Sequence, residues 1–267
     1  MFADSVNEEI RAWFDANAYE RPEFTYVHYI DAHGPWNRAP FPDTYQDAIR
    51  YVDRHVAALY RYFMERYGGD VIFVVTSDHG RALNNDVLEG AGPEWRKQKH
   101  SVHDYNLRIP FLILPSAWVT QARRIPGPCS NVDVAPTLLD WLGLPAVAHS
   151  PGISLMPAIR GEETLSEQRP IFSRNSAFGA RSDGVVYRGR KYIEFFDVAT
   201  GKPTRRRIFD LASDPHEVRS LGEDFGEAEA AMREAAGDHG RAFQSHFHGV
   251  TPELEAQLEA LGYLRDD

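Results

Sequence analysis

In Thr76-Ser77-Asp78-His79-Gly80 a carboxylate and an imidazole stand side by side, directly after the apolar run Asp70 to Thr76. Two such donors leaving the end of a rigid strand have the geometry of metal ligands. The commoner use of an Asp-His pair is a turn cap with a packed ring, but the strand before it and Gly80 after it favour the ligand reading. Asp238-His239-Gly240 repeats the letters in an Ala- and charge-rich stretch with no strand pattern, and reads as surface helix. A second histidine, His33 in Asp31-Ala32-His33-Gly34-Pro35, follows another β-branched and aromatic run, Phe24 to Ile30. It is expected on the same sheet edge as Asp78 and His79. A histidine changes charge near neutral pH, so it can bind an anionic oxygen or protonate a leaving group; a plain turn residue is the alternative. Arg96, Lys97, Lys99, His100 and His103 crowd into eight positions of the long loop from Arg81 to Asp104. A cationic cluster in such a loop suits an anion, against the alternative of a solvated charge run.

The elements that must position these groups alternate between strand and helix. Residues 5–17 read as a short helix opened by Ser5, with Glu8 three positions on as a capping box. Phe24 to Ile30 suits a buried strand. From Thr44, apolar Ile49, Val52, Val56, Leu59, Phe63 and Tyr67 mark a long amphipathic helix that Gly68-Gly69 ends. Asp70 to Thr76 is the strongest strand, apolar on both faces as a central parallel strand is, and Pro110 to Pro115 is another. Asp133 can cap a helix running through Trp141 to Gly143. This order implies an α/β layered sheet whose ligands bind beyond the carboxyl ends of its strands. After about residue 165 short strands follow: 171–174, 184–187, 191–196 and 206–210, the last two flanking a hairpin turn with Thr200-Gly201. Acidic, Ala-rich helices around 227–243 and 252–261 close the chain. The expected division is residues 1–165 as an α/β domain and 166–267 as a small antiparallel subdomain.

Composition bounds the partners. The 267 residues make one large or two modest domains. With 29 Lys and Arg against 39 Asp and Glu, the net charge of −10 argues against nucleic acid or an anionic membrane held by bulk charge. A small anionic substrate needs only a few local cations. The longest apolar run, Val71 to Val75, is far too short to span a bilayer, and the opening MFADSVNEEI lacks the basic start and hydrophobic middle of a signal peptide. One cysteine, Cys129, rules out an intramolecular disulfide and a cysteine metal cage. His246 and His248 read as a solvated helix end.

Seven segments resemble, in order, the sulfatases of the alkaline phosphatase superfamily: YVHYIDAHGPW, VVTSDHG, KHSVHDYNLRIPFLI, NVDVAPTLLDWLGL, PGISLMPAIRG, RRIFDLASDPHEVRSL and ELEAQLEALGYL. They span most of the chain and imply an alkaline-phosphatase/sulfatase-like layered sheet with helices plus a small C-terminal antiparallel-sheet subdomain. By that resemblance Asp78 and His79 are metal ligands. Lys99 is the sulfate-binding lysine, with Lys97 and His100 as runners-up for substrate binding. His33 contacts the sulfate or protonates the departing alcohol, and Asp133 and Arg108 serve as a helix cap and a structural ion-pair partner. The implied ion is divalent, Ca²⁺ by family habit, with Mn²⁺ or another nitrogen-tolerant ion suited to a ligand set that includes His79.

The family pattern also begins with a strand ending in paired acidic ligands, followed by Cys/Ser-x-Pro-x-Arg, whose first residue becomes formylglycine. Neither occurs here: Cys129 is followed by Asn131 and Asp133 where Pro and Arg belong, and Ser213-Asp214-Pro215 meets Glu217. The resemblance is therefore to the C-terminal portion alone. The expectation is a sulfuric ester hydrolase without its nucleophile segment, inactive alone, whose partners are a small anionic sulfate ester and a missing N-terminal half. A phosphate mono- or diester hydrolase or transferase of the same superfamily, and a non-catalytic remnant or half of a split protein, are the alternatives.

Overall fold

The computed structural model describes residues 2–17, 22–33, 44–81, 101–148, 150–176 and 181–246, with backbone only for 238–246. The chain divides into two compact units, Met1–Val74 with Ile113–Ala122 and Pro252–Arg265, and Val75–Leu112 with Arg123–Thr251 and Asp266–Asp267.

In the first unit, α1 (Ala3–Ala16) lies against α2 (Tyr45–Arg66). Phe14, Leu59 and Phe63 form their shared core, and the rings of Phe14 and Phe63 meet edge to face at 5.0 Å. Thr44 caps α2 as its type suggests, accepting the Asp47 amide at 3.2 Å. The buried stripe runs through Ala48, Tyr51, Leu59 and Phe63; Leu59 and Phe63 are on the expected face, while at the start of the helix Ala48 and Tyr51 are buried and Ile49 is exposed. The capping box at Ser5 and Glu8 does not form. Helix α1 starts at Ala3, whose amide donates to the buried Asp31 carboxylate at 3.1 Å, so a distant anion caps it.

Phe24 to Ile30 is not the buried strand its composition suggests. Val27 and Tyr29 turn inward and Phe24 and Tyr26 stay exposed, and no neighbouring strand among the described residues offers a ladder. Extended backbone without a partner is not a sheet. Likewise β1 is only Val74–Thr76, part-buried, and pairs with β2 (Phe111–Ile113) in a two-stranded sheet.

The second unit contains the short helix α3 (Asp104–Leu107), a 3₁₀ turn at Asn131–Asp133, α4 (Val134–Trp141) and α5 (Met156–Arg160). It then builds a four-stranded antiparallel sheet of β3 (Ile171–Asn175), β4 (Arg181–Tyr187), β5 (Arg190–Phe196) and β6 (Pro203–Asp210), in that order. Val185 faces Tyr192 and Tyr192 faces Ile208 across the ladders, and these side chains pack on Phe225, Ala228 and Met232 at the start of α6 (Ala228–His246). Ile193 and Phe209 point the other way and bury Val102, with Leu107 packed beside them. The alternation of the strands thus covers both faces, one with a helix and one with the segment from Ser101 to Leu107. Asp238 to Gly240 lie within α6, while the closing helix expected at 252–261 and His248 lie outside the described residues.

Candidate functional site

Strand β1 ends at Thr76, and the next two residues but one carry the donors. The backbone amide of His79 donates to Asp78 Oδ1 at 2.8 Å, and the Ser77 hydroxyl donates to the His79 carbonyl at 2.7 Å. His79 Nδ1 lies 2.6 Å from the Gly80 carbonyl. A carbonyl only accepts, so in the neutral ring Nδ1 carries the proton and Nε2 presents a lone pair. That Nε2 stands 3.7 Å from Asp78 Oδ2, with the two side chains 55 % and 49 % exposed. Two donors bound at about 2.1 Å at a tetrahedral angle lie about 3.4 Å apart, and a right angle at about 2.4 Å gives a similar span. The pair therefore fits a shared divalent ion with a shift of a few tenths of an ångström, and the Nδ1–carbonyl contact is the outer support that ligating histidines use. Among the described residues no third His, Cys, Asp or Glu joins them.

Two braces fix this turn. Thr76 Oγ1 donates to Asn131 Oδ1 and Asn131 Nδ2 donates to the Ser77 carbonyl, each at 2.8 Å, so Asn131 grips the last two residues before Asp78. Behind it Asp133 is fully buried. It accepts from the Ser130 and Ile153 amides and from both terminal nitrogens of Arg169, at 2.6 to 2.9 Å. Its side chain makes no cap bond to α4, contrary to expectation; it is an ionic hub. Gly152 is required here, because a Cβ on it would lie 1.9 Å from the Val132 carbonyl oxygen. The second brace is Gly80, whose amide donates to the Asn106 carbonyl at 2.6 Å and whose missing Cβ would sit 2.3 Å from the Tyr105 carbonyl oxygen.

Nothing in the sequence reading singled out Asn131 as a support. The signal was its position two residues before Asp133, where the sequence opens a helix.

His103 leaves the expected cationic cluster. It is buried, bonded to the Ser101 hydroxyl at 2.5 Å and stacked on Tyr105. Burial, helped by Lys191, Arg205 and Arg207, pushes its pKa down to about 3, so it is neutral at pH 7. Lys97, Lys99 and His100 lie outside the described residues. His33 is exposed at the end of the first unit's extended segment, its amide bonded to the Ile30 carbonyl at 2.9 Å. Asp31 beside it is buried with Oδ2 lacking a hydrogen bond, and burial raises its pKa. Arg108 closes α3 through its backbone amide on the Asp104 carbonyl.

A profile of the sulfatase family matches residues 1–144, more than half of the chain. The chain belongs to the sulfatase family. Relatives include arylsulfatase K of Bos taurus, 27 % identical over 169 residues, which cover 60 % of this chain and 29 % of that protein. The Δ4,5-hexuronate-2-O-sulfatase of Bacteroides thetaiotaomicron is 26 % identical over 212 residues, 76 % of this chain and 38 % of that protein. Among solved structures, Ps i-CgsB in complex with k-i-k-neocarrahexaose aligns with 98 % of this chain and 60 % of its own, with a TM-score of 0.64 and 18 % identity. The chain thus has the sulfatase fold with its small C-terminal sheet, and spans about 29 % of the first of these relatives. No helix among the described residues is long and apolar enough to cross a membrane.

Proposed function

We propose that this chain is the C-terminal part of a sulfuric ester hydrolase, contributing a half-shell of metal ligands and the groups that hold and discharge the ester. The observation that carries the reading is the 3.7 Å pairing of His79 Nε2 with Asp78 Oδ2 at the end of β1, with Nδ1 turned to the Gly80 carbonyl. Asp78 and His79 would hold a divalent cation, Ca²⁺ or Mn²⁺. When bound, such an ion stabilises charge on the sulfuryl oxygens. Lys99 neutralises more of that charge, assisted by Lys97 and His100. By the family resemblance His33 would give a proton to the departing alkoxide as the S–O bond breaks, so the alcohol leaves neutral and the sulfuryl group stays on the attacking oxygen. The attacking oxygen belongs to a nucleophile, a formylglycine by the family pattern, in sequence outside these 267 residues.

The test is turnover of an aryl sulfate against an aryl phosphate by this chain joined to a segment bearing paired acidic residues and Cys/Ser-x-Pro-x-Arg. The name of one relative makes a sulfated hexuronate the next ester to assay. Metal-dependent sulfate cleavage that Asp78→Ala abolishes supports the reading. Preference for the phosphate moves the chain to the phosphoesterase branch. A stop codon directly upstream of Met1, in place of an in-frame nucleophile motif, turns the reading to a non-catalytic remnant.

A further inference from the structure

Beneath the metal-ligand turn lies an ionic cluster that the proposed chemistry does not use. Lys191, on β5, has no exposed surface; its Nζ donates to Asp104 Oδ1 at 2.5 Å and stands 3.2 Å from Glu217 Oε1, an ion pair without hydrogen-bond alignment. Glu217 Oε2 accepts the Asp104 backbone amide at 2.6 Å, and Glu217 holds φ at +56°, a left-handed conformation that costs a non-glycine residue. So two elements of the small sheet region clamp one residue, Asp104, by its side chain and its backbone together. Asp104 opens α3. The Asn106 amide in that helix bonds to the His103 carbonyl at 2.9 Å, its Nδ2 holds the Ser101 carbonyl at 2.7 Å, and its own carbonyl receives the Gly80 amide. Gly80 in turn supplies the carbonyl that orients His79. Every link in this chain is a short polar contact, and Gly80 has no side chain to keep it off the Tyr105–Asn106 backbone.

We propose that Lys191 and Glu217 are positioning residues for the metal pair: they latch Asp104 so that α3 sets the Gly80 carbonyl, and through it the ring of His79. The proposal rests on the reading of Asp78 and His79 as metal ligands, and it gives the small C-terminal sheet a part in the site. Removing a single buried charge leaves its partner uncompensated, so the informative variant is the double substitution Lys191→Met with Glu217→Met, which removes one charge of each sign and leaves the part-exposed Asp104.

The test combines amide hydrogen exchange with Mn²⁺ titration read on the His79 ring by NMR, on the full chain. In the double variant, exchange at Gly80 and Asn106 is expected to rise about tenfold while Tyr192 and Val185 in the sheet stay within about twofold, and Mn²⁺ binding at His79 weakens about fivefold. Asp104→Asn, at a part-exposed position, is the second variant should the double one not fold, with about a threefold rise at Gly80. Unchanged Gly80 exchange in a folded variant overturns the latch. So does loss of protection spread evenly over the sheet, which marks a structural role alone. If the unaltered chain takes up no Mn²⁺ at His79, the metal reading falls, and exchange at Gly80 by itself decides the latch.

Discussion

Two charged clusters in the second unit obey opposite rules. Asp78 and His79 follow the end of β1, half in solvent, with an oxygen and a nitrogen 3.7 Å apart. Lys191, Asp104 and Glu217 meet where Lys191 and Glu217 are closed off from water. Exposed charges interact weakly with one another and remain open to an incoming ion. Buried ones have surrendered hydration, so each depends on its partners for both energy and geometry. In the reading proposed above, the first cluster takes up an ion and the second holds the turn that orients it.

The sharpest way to break this contrast is Lys191→Met. It strands Glu217 in an apolar setting and is expected to lower stability by about 3–5 kcal/mol in urea unfolding, whereas an effect below about 1 kcal/mol would mean the cluster is wet. Next comes Gly80→Ala, which drives a methyl into the Tyr105 carbonyl and is expected to cost about 1–3 kcal/mol by the same assay, with loss of Mn²⁺ uptake at His79. The third is pH. His103 binds no proton in the folded chain until about pH 3, but does so near 6.5 when unfolded. The unfolded state therefore gains protons between those values, and stability falls with acidification by at most about 1.4 kcal/mol per unit across that window. Glu217, whose pKa burial raises, works in the opposite direction and offsets part of it. Urea midpoints of His103→Asn at pH 7 and pH 5 should show the slope reduced; an undiminished slope assigns it elsewhere. Asn131→Ala removes two hydrogen bonds at an exposed site and should cost about 1 kcal/mol. Smallest of all, Asp78→Ala should leave the thermal midpoint within about a degree or two, because the pair it breaks is solvated.

The sequence was readable where chemistry is local. The amphipathic period of α2 and the hairpin through Thr200-Gly201 each depend on neighbours in the chain, and each formed. Asp78 and His79 lie side by side just after β1, because adjacent residues after a strand have few ways to diverge. Phe24 to Ile30 has strand-forming residues but no strand, because side-chain type says how a strand could pack, not whether another strand lies beside it. Ser5 and Glu8 make no capping box because Asp31, 28 residues away from Ala3, performs the capping. His103 sits among lysines in the sequence, yet burial beside Phe195 and Phe209, with the nearby charges of Lys191, Arg205 and Arg207, keeps it neutral. Glu217 stood in the Asp-Pro-x-Glu segment of the family resemblance, and only the fold shows what it does: it reaches back 113 positions to the Asp104 amide.

The central claim, that Asp78 and His79 take a divalent ion together, is tested most directly by Mn²⁺-induced broadening of the histidine ring signals in the full chain. The account predicts that His79 broadens at lower Mn²⁺ than His55 or His216 and that Asp78→Ala removes this order. His79 broadening no sooner than those histidines, or unchanged by Asp78→Ala, would contradict it.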